Sequence, residues 1–233
     1  MALSDELTSY LKTTFKSNWA KREGQVVPDP EDLPLSNEAV HFDRATVLYA
    51  DLSGSTALVD TKKWYFAAEI YKSFLYCAAR LIRDNGGEVT AYDGDRVMGI
   101  FIGTSQSTNA TKCGLKINDA VKNIIMPLMK EQYATSDFVL HHVVGIDTSE
   151  IRATRTGVRG DNDLVWVGRA PNYAAKLTEL PADYPTWITG TVFDKISDEA
   201  KYGSTQKVLM WEKRLWTAMN NMEVYRSSWS WKV

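Results

Sequence analysis

The sequence predicts an α/β fold of the ferredoxin-like type, a βαββαβ two-layer sandwich with an antiparallel-rich sheet and an N-terminal helical arm. Three observations carry this. From Ala45 onward, apolar runs of strand length alternate with long amphipathic stretches in that order. The second and third runs join around Asp93-Gly94, a hairpin signal. Asn85-Gly86-Gly87 closes the first long helical pattern with residues that tolerate a left-handed helix end.

The elements follow in order. Ser4 to Lys21 reads as an amphipathic helix, with Leu7, Leu11 and Phe15 at i+4 spacing and Ser4, Asp5 and Glu6 at its start. Gly24 to Asn37 holds Pro28, Pro30 and Pro34 among acids and reads as a linker. ATVLYADL (45–52) is a strand that ends on an acid, followed by a turn-like SGST. A helix spans roughly Thr61 to Asp84, with Ala67, Ile70, Phe74, Ala78 and Leu81 on one face. EVTAY (88–92) and RVMGIFI (96–102) form the hairpin, and a second helix covers about Asn109 to Lys130. FVLHHVVGI (138–146), DLVWVG (163–168), TWITGTV (186–192) and MEVYR near the end read as strands. A short helix from Ala170 to Leu180 begins with Pro171 at its first position.

Composition narrows the function. The chain has 233 residues, 44% hydrophobic and 24% charged, enough for a large core without disulfide or metal staples. Its 27 basic and 29 acidic side chains nearly cancel, which argues against a broad nucleic-acid surface. No stretch approaches a membrane span and the first residues lack the pattern of a signal peptide, so a cytoplasmic protein without membrane contact is expected. Cys77 and Cys113 both fall in helical apolar patterns, against a secreted disulfide scaffold. With three His and two Cys, a metal site would be built mainly from oxygen.

Asp51 closes a buried strand and Asp95 follows the hairpin turn. In a ferredoxin-like sheet those strands are neighbours, so the two carboxylates can meet. Such hard oxygen ligands suit Mg²⁺ or Mn²⁺. The SGST turn, with Gly54 allowing close approach, offers backbone N–H groups before a helix and could cradle an anion. Taken singly, an Asp-Gly turn and a Gly-Ser-Thr cap are ordinary structural features. Together with Asp51 they suggest phosphoryl transfer assisted by two metals.

These residues carry a resemblance. Tyr49-Ala50-Asp51-Leu52-Ser53-Gly54-Ser55-Thr56 resembles the first metal motif of class III nucleotidyl cyclases. Tyr92-Asp93-Gly94-Asp95 resembles their second, and the stretch from Gly168 to Leu177 resembles their transition-state helix. The resemblance covers about residues 43–226 and implies residues 1–42 as helix and linker, with 43–233 as the catalytic domain. It implies that Asp51 and Asp95 each bind two Mn²⁺ or Mg²⁺ ions, with the carbonyl of Leu52 helping. Backbone groups of Leu52, Ser53, Gly54, Ser55 and Thr56 would hold the triphosphate. Asn172 and Lys176 would act in catalysis, with Lys176 where the family has Arg. Lys keeps the charge and loses the bidentate fork. The family's purine-reading Lys would fall at Ala91 and its Asp partner at about Val165, so both polar groups are replaced.

More narrowly, RTGVRGDNDLVWVGRAPNYAAKL (155–177) and TAYDGDRVMGIFIG (90–103) resemble the pyrimidine cyclases of bacterial Pycsar antiphage systems. That implies a nucleoside triphosphate substrate, UTP favoured, and cyclic UMP as a second messenger in antiviral defence. It also implies a homodimer with active sites at the interface and a separate effector that responds to the cyclic nucleotide. Cyclic CMP remains the alternative product. A catalytically weak module that senses a nucleotide is the alternative of another class. Tyr49 is a candidate for contact with base or sugar, and Lys213 a weaker one for the triphosphate. Eight tryptophans fit either a thick core or an interface.

Overall fold

The computed structural model describes residues 2–203 and 205–233. The elements are α1 (Leu3–Lys16), β1 (Ala20–Glu23), β2 (Glu38–Ser53), α2 (Ser55–Thr61), α3 (Trp64–Asp84), β3 (Gly87–Asp93) and β4 (Arg96–Phe101). They continue as α4 (Gln106–Ala120), α5 (Met126–Gln132), β5 (His141–Val158), β6 (Asp161–Gly168), α6 (Arg169–Leu177) and β7 (Thr186–Thr189). The last are α7 (Gly190–Phe193), α8 (Asp198–Lys201), β8 (Tyr202–Gly203), β9 (Val208–Leu209), β10 (Glu212–Trp216) and β11 (Met222–Ser227). Two compact units result, residues 1–43 with 150–168, and residues 44–149 with 169–233.

The second unit holds the ferredoxin-like pattern. Its strands run β10-β11-β7-β5-β2-β4-β3, in which β5-β2-β4-β3 is the expected four-strand order. Pairing of β2 with β4 and of β4 with β3 is antiparallel. β7 adds to β5 in parallel, and β11 and β10 extend that side. Helices α3 and α4 bury their apolar faces in one large cluster with Leu48, Phe101, Ile117 and Ile146. Fully desolvating side chains of this size stabilises by roughly 1.5–3 kcal/mol each. A smaller cluster gathers Val143, Leu177, Trp187, Trp216 and Val224.

The tryptophans expected near the end are core. Trp211 and Trp216 are buried, and Trp229 and Trp231 pack on the large cluster. The indole of Trp211 donates to the carbonyl of Ala200 at 2.7 Å, which satisfies its one polar atom. Both cysteines are free thiols.

Several boundaries differ from expectation. The helix predicted over 109–130 contains a wider turn at Val121–Ile125 with i→i+5 bonding. Pro127 lies just beyond it and has no N–H to donate, so the helix relaxes its ladder there. The run at 186–192 is strand only to Thr189, after which the side chain of Thr189 caps α7. The helix expected to begin at Thr61 begins at Trp64 as α3, and a short helix, α2, ends at Thr61. Lys62 and Lys63 are the extended residues that separate them.

The first unit differs more. α1 ends at Lys16, and residues 20–23 pair in parallel with residues 38–41 as a strand the sequence pattern did not reveal. Residues 24–37 are not a loose linker. Leu33 is buried, and its carbonyl accepts from Arg155 at 3.0 Å. The last part of β5 forms an antiparallel hairpin with β6. No helix among the described residues is long and apolar enough to cross a membrane.

Candidate active site

Strand β2 delivers Asp51 and Tyr49 to one face of the second unit's sheet. Cross-strand register fixes what stands beside them. Asp51 lies opposite Arg96 on β4, and Arg96 lies opposite Asp93 on β3. Two residues along, Tyr49 lies opposite Met98, which lies opposite Ala91. Directly opposed residues share a face, so the sheet presents an acid–base–acid row beside a row of Tyr49, Met98 and Ala91. Arg96 ties the charged row together. Its guanidinium donates to Asp93 Oδ2 at 2.5 and 3.2 Å and lies 5.8 Å from the Tyr49 ring centre.

Asp95 sits in the turn between β3 and β4, and its charge reaches Asp51. Partial burial, and then repulsion from Asp95, push the Asp51 carboxyl up from its ordinary value of 3.8 to about 6. Arg96, a hydrogen bond from Thr178 and the Leu52 backbone oppose the rise. A half-shielded carboxylate whose proton affinity is raised beside a second acid is a place where a cation is stabilising. Hard oxygen donors of this kind fit Mg²⁺ or Mn²⁺. Burial likewise raises the Tyr49 phenol.

Gly54 caps α2 with φ at 78°, a left-handed conformation that favours glycine. It sets the Ser53-Gly54-Ser55-Thr56 turn next to Asp51, with Ser53, Gly54 and Thr56 exposed and Leu52 buried beneath. The turn is open above Gly54, where an added Cβ would meet nothing within 4 Å.

Helix α6 is fixed at both ends. Arg169, its first residue, grips buried Asp147 through two bonds of 2.9 and 3.1 Å and donates to the Thr148 carbonyl at 2.8 Å. Thr189 donates a further bond to Asp147 at 2.5 Å. Burial raises the Asp147 carboxyl, and these partners counter the rise. Beneath the helix, a Cβ on Gly145 would come within 2.2 Å of the Ala174 carbonyl oxygen, so only glycine allows this approach. At the far end the Thr178 hydroxyl lies 3.3 Å from Asp51 Oδ2 and 2.7 Å from the Ala175 carbonyl. Asn172 and Lys176 stand on the exposed side of α6.

The structure thus brings together Tyr49, Asp51, Ala91 and Asp95 with the 52–56 turn, and joins α6 to Asp51 through Thr178. Val165 belongs to the first unit, exposed on β6 opposite Thr154. Lys213 is paired with Glu223 on the neighbouring strand. Sequence reasoning missed Arg96, Met98 and Thr178. The two on β4 were recoverable from hairpin register, since a turn at Asp93-Gly94 dictates which residues face one another. Thr178 carried no signal, because its contact with Asp51 is purely tertiary.

A second group of ligand-type side chains, Glu23, His41 and Asp43, lies in the first unit. Buried His41 bonds Glu23 at 2.7 Å and Glu150 at 2.8 Å. Lys21 and Arg152 lie on those two glutamates at 3.3 and 2.5 Å. Lys21, Glu23, His41, Glu150 and Arg152 thus form a row of hydrogen bonds and ion pairs across three strands, with Asp43 3.7 Å from His41.

Comparison with known proteins places this geometry. No family model matches the chain. A protein of Burkholderia cepacia named uridylate cyclase is 55% identical over 234 residues, covering all of both chains. Another of that name from Xanthomonas perforans is 53% identical with the same coverage. The chain belongs to the uridylate cyclase family. Members of this family extend to a Rhodovulum protein of the same name at 38% identity, over 98% of this chain and 97% of the relative.

Solved structures agree on the fold. A guanylyl cyclase, Cya2, superposes with a TM-score of 0.68 at 15% identity, over 82% of this chain and 94% of its own. The adenylyl cyclase CyaB of P. aeruginosa gives 0.64 at 18%, over 82% and 95%. The expected class III cyclase architecture is therefore that of this uridylate cyclase family member.

Proposed function

We propose that this nucleotide cyclase converts UTP into 3′,5′-cyclic UMP and pyrophosphate. The observation that carries the reading is the Asp51–Asp95 pair, set beside an open glycine turn and a sheet face without a purine-reading polar pair. Asp51 and Asp95, with the Leu52 carbonyl, would hold two divalent ions, Mn²⁺ or Mg²⁺. When bound, these supply Lewis acidity toward the 3′-hydroxyl and charge neutralisation for the triphosphate. The 3′-oxygen, its proton passing to solvent, forms its bond to the α-phosphorus as the bond to the bridging oxygen breaks, and pyrophosphate leaves with that oxygen.

The chain's own groups do the rest. Backbone N–H groups of Ser53 to Thr56 receive phosphate oxygens. Thr178 holds the Asp51 carboxylate in one rotamer. Asn172 orients the ribose, and Lys176 offsets charge developing on the α-phosphoryl oxygens. Tyr49, Met98 and Ala91 form a semi-apolar wall for a base. With Ala91 there and Val165 at the other family position, a purine would lose the polar partners that select it.

Asn172 and Lys176 project from the exposed side of α6 while Thr178 turns toward Asp51, which supports sites shared between two copies of the chain. A mixture of Asp51→Ala and Asn172→Ala chains then regains activity that neither has alone. Unrestored activity after co-refolding counts against shared sites. The cyclic nucleotide would serve as a second messenger in antiphage defence, sensed by a separate effector.

The substrate test is incubation with each of ATP, GTP, CTP and UTP plus Mn²⁺, followed by chromatography. UTP is expected to give cyclic UMP with equimolar pyrophosphate. Dominant cyclic CMP would shift the assignment to cytidine. Cyclic purine products, or binding of nucleotides with no turnover, would overturn it.

A further inference from the structure

Three strands of the first unit bring ligand-type side chains around one imidazole. Pairing of β1 with β2 sets Glu23 level with His41. Asp43 follows two residues along the same face of β2, and Glu150 comes from β5. His41 is only 4% exposed, while the three acids around it reach solvent. Both ring nitrogens meet carboxylate oxygens. Nδ1 lies 2.7 Å from Glu23, and Nε2 lies 2.8 Å from Glu150 and 3.7 Å from Asp43. An ionised carboxylate only accepts, and a neutral imidazole carries a single N–H. With that N–H directed to Glu23, the lone pair of Nε2 faces two acids, an arrangement that calls for a cation. Lys21 and Arg152 compensate Glu23 and Glu150. Among the described residues, Asp43 forms no ion pair with a lysine or arginine. A second proton on the ring would answer Glu150 alone. The additional acid at the same nitrogen completes a ligand set.

The geometry points to a site for one zinc ion, held by His41 Nε2, Asp43 and Glu150 with water as the fourth ligand. Imidazole together with two carboxylates is a donor set that zinc accepts, whereas the oxygen-only pair of Asp51 and Asp95 suits Mg²⁺ or Mn²⁺. At zinc–ligand distances of about 2.0–2.2 Å, neighbouring donors of a tetrahedron lie roughly 3.4 Å apart. The separations of 2.8 and 3.7 Å from Nε2 bracket that value, and both acids are exposed side chains with room to adjust. Glu23 orients the ring through Nδ1–H, as carboxylates commonly do for a zinc-bound histidine. The Glu150 carboxylate has lone pairs for both the ion and Arg152. The ion ties β1, β2 and β5 together at this point, a structural role separate from the reaction.

Zinc titration of the full chain, followed at the imidazole nitrogens by NMR, tests this. The protein is stripped with chelator and kept in excess Mg²⁺, so that the oxygen-only site does not compete for zinc. With three histidines in the chain the imidazole signals can be assigned. One equivalent of Zn²⁺ is expected to shift His41 Nε2, leave His141 and His142 unmoved, and raise the thermal midpoint. Asp43→Asn and Glu150→Gln alter exposed side chains, and zinc-free melting of each verifies that it folds. Each should weaken zinc binding at least tenfold, while Asp51→Asn leaves it unchanged. A shift at His141 in place of His41 would overturn the proposal. So would binding that is lost in Asp51→Asn and kept in Asp43→Asn, since the zinc would then belong to the other site. Equal affinity in Asp43→Asn and the parent, or no saturable binding in the parent, would overturn it as well.

Discussion

The helices of the two units place their apolar side chains in opposite ways. In the second unit α3 and α4 bury theirs so completely that Phe74, Ile82 and Leu115 have no measurable exposure. In the first, α1 has a comparable apolar stripe and buries none of it. The sequences of all three helices are amphipathic, so periodicity does not distinguish them. The difference lies in what each element was given to pack against. The second unit builds its own core and places an electrostatically unfavourable carboxylate pair at its edge. The first unit offers a surface.

The sharpest test of that contrast is Asp51→Asn. With the native carboxyl raised to about 6 from 3.8, the folded protein holds a proton between about pH 4 and pH 6 that the unfolded chain has released. Stability therefore falls as pH rises through this window. The amide removes that dependence. In chelator-treated protein, Asp51→Asn is expected to melt higher than the parent at pH 7, and the two midpoints should converge below about pH 4. Activity should fall by on the order of 10³-fold, as for loss of a principal electrostatic group. Thermal midpoints across pH, paired with product formation, check both. A variant less stable at pH 7 would show that Asp51 is a structural acid.

Next in size is Gly145→Ala. The added methyl would sit 2.2 Å from the Ala174 carbonyl oxygen and 2.7 Å from Leu177 Cβ, so α6 has to move off β5. Overpacking of this kind costs about 1–3 kcal/mol. Because α6 carries Asn172 and Lys176 and reaches Asp51 through Thr178, activity should fall further than stability does. Denaturant unfolding and turnover on the same preparation separate the two effects. An unchanged turnover would show that the placement of α6 on the sheet does not matter for the chemistry.

Much of this was legible in the chain. Strand β2 announced itself by its apolar run and terminal acid, and the hairpin by Asp93-Gly94. Strand alternation requires one of the neighbours His141 and His142 to face the core, and the structure shows that it is His142, with His141 exposed. Elements whose identity depends on distant partners were not legible. Strand β1 is fully exposed, so it has no apolar alternation, and only its pairing with residues 38–41 makes it a strand. Leu33 looked like part of a proline-rich linker because Arg155, which fixes it, is far away in sequence. In the site, motif positions Asp51 and Asp95 were visible while Thr178 and Met98 were not. A motif records which groups the chemistry needs, and the groups that orient them come from packing.

The smallest expected effect bears on the other half of the contrast. Leu11→Ser in α1 removes a large apolar side chain from a face that the chain itself leaves uncovered. In a dilute sample its stability cost should stay within about 0.5 kcal/mol, the range for exposed positions. The same change at a core position such as Leu115 would cost several times more, because a cavity and a buried hydroxyl would be left. If α1 is covered by another copy, the Leu11→Ser cost must grow with protein concentration, since partner binding stabilises by mass action. Thermal midpoints over a hundredfold range of concentration distinguish these cases. A large cost at the lowest concentration would mean that α1 packs within its own chain, and the contrast between the two units would disappear.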